Sequence, residues 1–392
     1  MSLRATSERA ARPGSDEPLS FVVLSHAVLR DGRDVFGPAH NVVEHLSGQG
    51  HPTDLLLYSL DGSGEAIHRS FRSGAVQERR FRVRGRPGEL RESVRQLRRI
   101  HPAVAVAVDP LNYVGVWLGA RTTRRSPLSV YYTADYATDR FASRWANAAY
   151  HRLDRFALRS ADVKWSVSQA IFDRRAAQGV PAADSFVIPN APPFDEAAVV
   201  PWRDREAESL VCVGMFDPLL DWELLFDGVA LALPHRPALT LHLVGDGPDA
   251  ALVHSQIAAR GLEGAVRLHG LVPHDEAVAI AAKCQIGFAL YSTHAAWNAY
   301  RDSLKMREYF SCGLPAITTG GHPLARDLEA RGAGAVVTTP AEVAAAIDRL
   351  LQPDAGERAA AAAVALAKEA DRANVLTRAL DDIRERLDGR KS

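Results

Sequence analysis

The sequence predicts an α/β protein made of two doubly wound domains facing a cleft. Short apolar runs alternate with helically spaced segments along the whole chain. Its 392 residues exceed what one hydrophobic core normally organises. A proline-rich, apolar-poor stretch divides the alternation in two.

In the first half the apolar runs fall at 21–24, 55–58, 103–108, 128–133, 163–167 and 186–188; in the second at 210–213, 239–244, 265–268, 285–290, 316–318 and 335–337. Runs of this length, bounded by Gly, Asp or Ser, are what strands buried on both faces look like, and strands that alternate with helices pair in parallel. Two six-stranded units suit the length better than one large sheet. The dividing stretch, 189–205, holds Pro189, Pro192, Pro193 and Pro201. Proline removes backbone donors and favours extended chain, as a linker requires. The expected division is a disordered tail over 1–18, a first domain over 19–190, a linker over 191–206, a second domain over 207–370 and a terminal helix over 371–392. Val375, Leu376, Leu380, Ile383 and Leu387 recur there with helical spacing, a stripe suited to packing back on the first domain.

Lys+Arg and Asp+Glu both number 47, and this zero net charge argues against a general nucleic-acid binder. Cys212, Cys284 and Cys312 are widely spaced and odd in number; they match no disulfide framework or zinc site and suit a reducing compartment. No signal-peptide core and no run of 18 apolar residues is present, so a cytoplasmic location is expected.

Open parallel sheets bind ligands beyond the carboxyl ends of their strands, where helix N-termini present unpaired N–H groups. That rule selects Ser25, His26, the loop 31–38 with Gly37, Asp109, Asn112, Asp135, Tyr136 and Ser168 in the first half. In the second it selects Gly214, the turn 245–248, residues 269–273, the segment 300–308 and residues 319–322. Val244-Gly-Asp-Gly-Pro-Asp-Ala250 fits a dinucleotide-type GxGxxA, but it lies mid-domain and Pro248 marks a turn starting a helix. A tight strand-to-helix turn is the preferred reading.

The sharpest signal is Tyr300-Arg-Asp-Ser-Leu-Lys-Met-Arg-Glu-Tyr-Phe-Ser-Cys-Gly-Leu-Pro315. Asp302 or Ser303 is a natural N-cap and Gly313 a natural stop, enclosing a helix over 304–312. Lys305 in its first turn opposes the helix dipole and precedes Glu308 in the weaker ion-pair order. An anion at the helix start accounts for that: the free N–H groups of the first turn converge with Lys305 on a phosphate, and Glu308, one turn on and on the same face, accepts from a ribose diol. A solvated surface helix fits the spacing equally well.

Here the sequence resembles the GT-B glycosyltransferases, particularly the broad retaining family 4. Residues 303–315 are similar to that family's P-L-K-x-x-E-Y-x-A-x-G-x-P segment, Val244-Gly-Asp-Gly-Pro248 to its vGdGP turn, Leu268-His-Gly-Leu-Val272 to its f-x-G-x-v strand end, and Ile188-Pro-Asn190 to its hinge. Tyr131-Tyr-Thr-Ala-Asp-Tyr136, Tyr150-His-Arg-Leu-Asp154 and Phe36-Gly-Pro-Ala39 resemble a bacterial and archaeal subgroup.

The resemblance implies two Rossmann-like domains, with a UDP- or GDP-sugar held mainly by the second and an acceptor glycan, lipid-linked sugar or small molecule by the first. Glu308 falls where the family holds the donor ribose. Lys305, Arg301, Ser303 and Leu304 would face the diphosphate, with Gly214 and Gly245 on the donor side and His269, Gly270 and Val272 bordering the base. Asp135 falls near the cleft position that many relatives fill with histidine and, with Lys305, is the catalytic candidate; Gly37, Asp109, Asn112 and Tyr136 are the acceptor-side candidates. The nucleotide-sugar is a co-substrate, so no cofactor is expected, and no metal, since no Asp-x-Asp stands in a suitable loop. Transfer with retention is the family's outcome.

Three departures stand out. Tyr300 replaces the first glutamate of the family's pair, and Met215 and Asp221 replace the usual diphosphate-binding arginine and lysine. The diphosphate then depends on Lys305, Arg301, Arg307, helix N-termini or residues contributed when the domains close. A catalytically silent partner subunit stays open as an alternative, as does a nucleotide-sugar epimerase.

Between Arg69 and Arg99 stand eleven arginines against three glutamates. Leu90, Val94 and Leu97 form an apolar stripe within it, so the segment reads as a basic amphipathic helix for anionic lipid at the inner membrane face or for a phosphate-bearing acceptor, or as an ordinary solvated helix.

Overall fold

The computed structural model describes residues 17–30, 33–34, 37–292 and 299–390. Most of the tail expected over 1–18, and Asp31, Gly32, Val35 and Phe36 of the loop 31–38, lie outside the described residues.

The first sheet runs in the order Ser185–Val187, Val163–Ser166, Leu128–Thr133, Val104–Val108, Phe21–Ala27, Thr53–Ser59, Glu65–Arg72 and Ala75–Arg82. Neighbours are parallel as far as Thr53–Ser59; the last two strands are an antiparallel hairpin added at the edge. Sequence reading missed this hairpin. Ala75–Arg82 is exposed along almost its whole length, so it carries no apolar run, and its charges suit an edge that must not pair further. Only the rest of the arginine-rich segment is helical, over Gly85–Ile100.

Side chains alternate across a strand, and Phe21–Ala27 shows the result. Phe21 and Val23 enter one core with Leu55, Leu57, Val104 and Val106; Val22 and Leu24 enter the other with Leu56, Ala105 and Ala107. Helix Pro38–Gly48 covers the first face, and helices Pro110–Ala120 and Arg144–Ser160 the second.

The second sheet is all parallel, in the order Val266–Gly270, Thr240–Val244, Ser209–Val213, Ile286–Ala289, Ala316–Thr319 and Gly334–Val337. In both sheets the domain's first strand lies inside, with the next parallel strand on one side and a later one on the other. The crevice at such a reversal is where these folds bind ligands.

The chain crosses between domains twice. Between the sheets, residues 188–208 carry two short 3₁₀ turns, Glu196–Ala198 and Trp202–Asp204. Near the C-terminus, helix Pro353–Glu369 packs on the second core through Ala359, Ala363 and Leu366. Helix Arg372–Gly389 then returns to the first, burying Val375, Leu376, Ala379, Leu380 and Ile383. Each fully buried Leu or Ile contributes about 1.5–3 kcal/mol. Arg386 fixes the far end, donating to Asp184 and to the Ala183 carbonyl, both at 2.9 Å.

Candidate active site

Ser303 caps the helix Leu304–Ser311: its Oγ accepts from the Met306 amide at 3.2 Å, and the helix stops before Gly313, whose φ of +69° favours glycine. Asp302, the other expected cap, instead accepts from the Asn190 amide at 2.6 Å and from Arg307 at 2.9 Å. It ties the linker to the helix. Arg307, expected to face the diphosphate, is held by this buried carboxylate.

Lys305 does reach the carboxyl end of the sheet. A Cβ at Gly214 would lie 3.1 Å from Lys305 Cε and 3.3 Å from Nζ, so the ammonium rests over Gly214 at the end of the first strand of this domain. Gly214 has φ +132°, and a Cβ at Gly245 would collide with the Gly214 carbonyl. Only glycine lets the two loops meet backbone to backbone. The Gly245 amide donates in turn to the Gly270 carbonyl at 2.9 Å, joining the third strand end.

Glu308 faces this floor one turn along. Burial pushes its carboxyl up to about 7, while His274 and Lys305 pull it down. His274 Nε2 lies 3.5 Å from its Oε1. His274 was not singled out from sequence; its position just after the strand-end loop 270–273 was the available signal. Arg301 stacks over Tyr291 at 4.6 Å, and the Tyr291 hydroxyl meets Ser303 Oγ at 2.5 Å. His322 packs edge-on against Tyr291; burial, then the nearby Arg301 charge, hold it down at about 4, so it is neutral.

Gly214, Gly245, Gly270, Arg301, Ser303, Leu304, Lys305 and Glu308 thus gather at one end of the second sheet. His269 stacks on the buried His242, with rings 5.2 Å apart, and Val272 is half-buried in the following loop. Met215 is exposed, and Asp221 caps helix Trp222–Ala232 by accepting from the Leu224 amide. Neither contributes positive charge.

Tyr300 links the domains. Its carbonyl accepts from Ser168 Oγ at 2.8 Å, its hydroxyl from Arg174 at 3.0 Å, and its ring meets Tyr136 edge-on at 4.8 Å. Tyr136 is buried beneath that ring and does not line the acceptor-side cavity.

That cavity, ≈ 920 Å³, opens at the carboxyl ends of the first sheet's strands. On its floor His26 Nδ1 lies 2.6 Å from Asp109 Oδ2. On the far side of the ring, Nε2 is 3.1 Å from Glu89 Oε2, the carboxylate it shares with Arg86, which donates to Glu89 Oε1 at 2.9 Å. Burial disfavours the imidazolium, yet Asp109 and Glu89 together raise His26 to about 9. Asp109 also accepts from the Asn112 amide at 2.9 Å and from its Nδ2 at 2.7 Å, capping helix Pro110–Ala120. Its backbone, φ +84° and ψ 159°, lies in a region essentially reserved for glycine, a strain of about 1–3 kcal/mol typical of functional sites.

Asp135 lines the same cavity, exposed and bonded to Arg140 at 2.7 Å; Ser143 caps the following helix. Gly37 precedes helix Pro38–Gly48, its amide donating to His40 Nδ1 at 3.0 Å, and Pro38 reaches the cavity wall. Of the floor, sequence reading selected His26 by its strand end but had no means of joining it to Glu89 and Arg86, 63 and 60 residues away.

The arginine-rich segment forms a separate open groove of ≈ 640 Å³ between hairpin and helix, lined by Arg79, Arg80, Arg82, Arg84, Arg91 and Arg95. Glu92 neutralises part of it, bonding Arg95 at 2.7 Å.

The family described as "Glycosyl transferase 4-like domain" matches residues 38–191, and that described as "Glycosyl transferases group 1" matches 207–353. No curated protein matches the sequence. Among solved structures, sucrose-phosphate synthase from Thermosynechococcus elongatus is similar over 95% of this chain and 99% of its own, with TM-score 0.66 at 14% identity. Anabaena HepE in complex with UDP is similar over 93% and 99%, with TM-score 0.62 at 16% identity. The pneumococcal O-GlcNAc transferase GtfA in complex with UDP and GlcNAc is similar over 92% and 69%, with TM-score 0.59 at 14% identity. At such identities the likeness shows the fold, and the fold is GT-B. The two family matches fall in order on the two domains and cover most of the chain: the protein belongs to the group 1, family 4-like glycosyltransferases, nucleotide-sugar-dependent enzymes of GT-B fold.

Proposed function

We propose that the protein transfers a hexosyl group from a UDP-sugar, with retention and without a metal, to an acceptor seated in the first-domain cavity. The observation that carries the donor half is the pairing of Lys305, laid over Gly214, with the desolvated Glu308 one turn on. A carboxylate that burial drives up to about 7 gains most from hydroxyl donors such as a ribose diol. UDP is favoured over GDP because HepE and GtfA, similar in fold, hold UDP.

In the reaction, the bond between the anomeric carbon and the diphosphate oxygen breaks and the leaving group carries away the electron pair. Lys305, Arg301 and the first-turn amides of Leu304–Ser311 neutralise the growing charge, the kind of preorganised electrostatics that supplies most enzymatic acceleration. They stand in for the positive side chains absent at Met215 and Asp221. For retention, the acceptor oxygen arrives on the face the diphosphate leaves, and a phosphate oxygen takes its proton. Asp135, exposed at the cavity wall, would stabilise positive charge on the sugar or orient the acceptor.

A thermal-shift panel of UDP- and GDP-sugars on wild type, Lys305→Ala and Glu308→Ala tests the donor site: UDP-sugars shift the wild type alone, and equal shifts in all three refute it. Proton NMR of the product's anomeric linkage decides retention, and turnover unchanged by EDTA supports metal independence.

The groove around Arg79 and Arg91 supports docking on an anionic lipid surface at the inner face of the cytoplasmic membrane. No described helix is long and apolar enough to cross a membrane. Co-sedimentation with vesicles should rise with their anionic lipid content and fall in Arg79→Ser/Arg91→Ser; indifference to lipid charge would sink the idea.

A further inference from the structure

The first-domain cavity is two-sided. Its floor holds His26, Asp109 and Arg86, with Glu89 behind His26, while Leu60, Leu111, Phe141, Tyr150 and Leu153 line its walls. Leu60 and Phe141, two large apolar side chains of one cavity, are 46% and 44% exposed. A bare glycan would leave them wet.

On the floor, Arg86 is 44% exposed but can only donate, and a single hydrogen-bond acceptor is presented beside it. The His26 and Glu89 side chains are 8% and 6% exposed, whereas Asp109 is 27% exposed. Its carboxylate is fixed from three directions: His26 Nδ1, the Asn112 amide and Asn112 Nδ2. The strained backbone at Asp109 aims it, with Pro110 next in the chain. The charged and titratable neighbours are accounted for on each side of His26: Asp109 and Asn112 from the helix start, Glu89 and Arg86 from helix Gly85–Ile100, and the Tyr58 ring at 6.0 Å from the adjacent strand. His26 is enclosed, and Asp109 is the acceptor that an incoming hydroxyl meets on the floor, with Asp135 at the wall held by Arg140 at 2.7 Å.

We propose that this cavity selects an amphiphilic alcohol as acceptor: its reacting hydroxyl donates to Asp109, which His26 positions, and an apolar group lies against Leu60, Leu111 and Phe141. This rests on the transferase reading above and names the acceptor class for it. The hydroxyl keeps its proton until the departing phosphate takes it, so Asp109 orients the nucleophile and His26 acts only through Asp109. One long apolar side chain on the acceptor would lie along the wall while its polar end reaches the floor.

The test is titration of the full-length protein with n-octyl β-D-glucopyranoside, below its micelle concentration, and with glucose as the polar control. UDP is titrated separately. The wild type should bind the octyl glucoside at least ~10-fold tighter than glucose, since one buried methylene contributes about 0.8 kcal/mol. Phe141→Ser and Leu60→Ser, at exposed positions that leave the fold intact, should erase most of that preference. Asp109→Asn should weaken the octyl glucoside about tenfold or more.

His26 has a discriminating pair. Asparagine can place its amide where Nδ1 donates to Asp109, and glutamine can place its amide where Nε2 faces Glu89. His26→Asn should therefore keep near-wild-type affinity and His26→Gln should lose as much as Asp109→Asn. Equal affinity for the two probes, no octyl glucoside binding, or the reverse order of the two His26 variants would overturn the proposal. Loss of UDP binding by the wild type would instead overturn the donor assignment and leave the acceptor result standing.

Discussion

The two floors of the cleft handle charge in opposite ways. On the first domain, His26, Asp109, Glu89 and Arg86 close on one another within 3.1 Å, and the network is complete in itself. On the second, Lys305 lies over a bare glycine, and buried Glu308 has His274 at 3.5 Å and the Lys305 charge as ionic neighbours, with no hydrogen bond to its carboxylate among the described residues. Complete networks preorganise a surface; incomplete ones store an electrostatic demand that a ligand satisfies. The comparison assigns orientation to the first floor and charge neutralisation to the second.

The largest effect expected from breaking it is on turnover. Lys305→Ala removes charge where the diphosphate departs and should lower kcat by roughly 10²–10³-fold, the range for losing one preorganised donor. Steady-state kinetics with saturating donor checks this, and a change confined to acceptor KM would reverse the assignment of floors. Next in size is Glu89→Ala. It strips His26 and Arg86 of a shared buried acceptor and should cost about 1–3 kcal/mol of stability in denaturant titration, leaving UDP affinity unchanged.

The smallest effect is a pH-dependent gain. Glu308's folded-state pKa is raised to about 7, so the folded protein holds that proton more tightly than the unfolded chain does. Its contribution is fully present below the unfolded carboxyl range and is lost as pH rises toward 7. Glu308→Gln should therefore raise the ligand-free Tm above the wild type's at pH 8, by roughly 1 °C for each kcal/mol recovered in a chain of 392 residues, and leave it nearly unchanged at pH 4. A variant less stable at pH 8 would show that Glu308 is already satisfied without ligand.

Much of the scaffold could be read from sequence because buried parallel strands announce themselves as apolar runs. The run at 239–244 became Thr240–Val244, and 316–318 became Ala316–Thr319. The hairpin Glu65–Arg82 gave no such signal, since its stability comes from edge pairing and from ion pairs such as Arg69 with Glu78. Within the site, the helix start at Ser303 was legible because capping is local. What Tyr300 does was not: a family position expected to hold glutamate instead meets Ser168, Arg174 and Tyr136 across the domain boundary, contacts no spacing rule can foresee. The same limit hid the link from His26 to Glu89. Arg307 was misread for a related reason, because Asp302 reclaimed it for the hinge.

The most direct measurement is isothermal titration of UDP into wild type, Glu308→Ala and Asp109→Asn. The account predicts binding by the wild type, at least ~10-fold loss in Glu308→Ala, where hydrogen bonds to a charged group disappear, and wild-type affinity in Asp109→Asn. Equal affinity in wild type and Glu308→Ala, or a loss confined to Asp109→Asn, would contradict it.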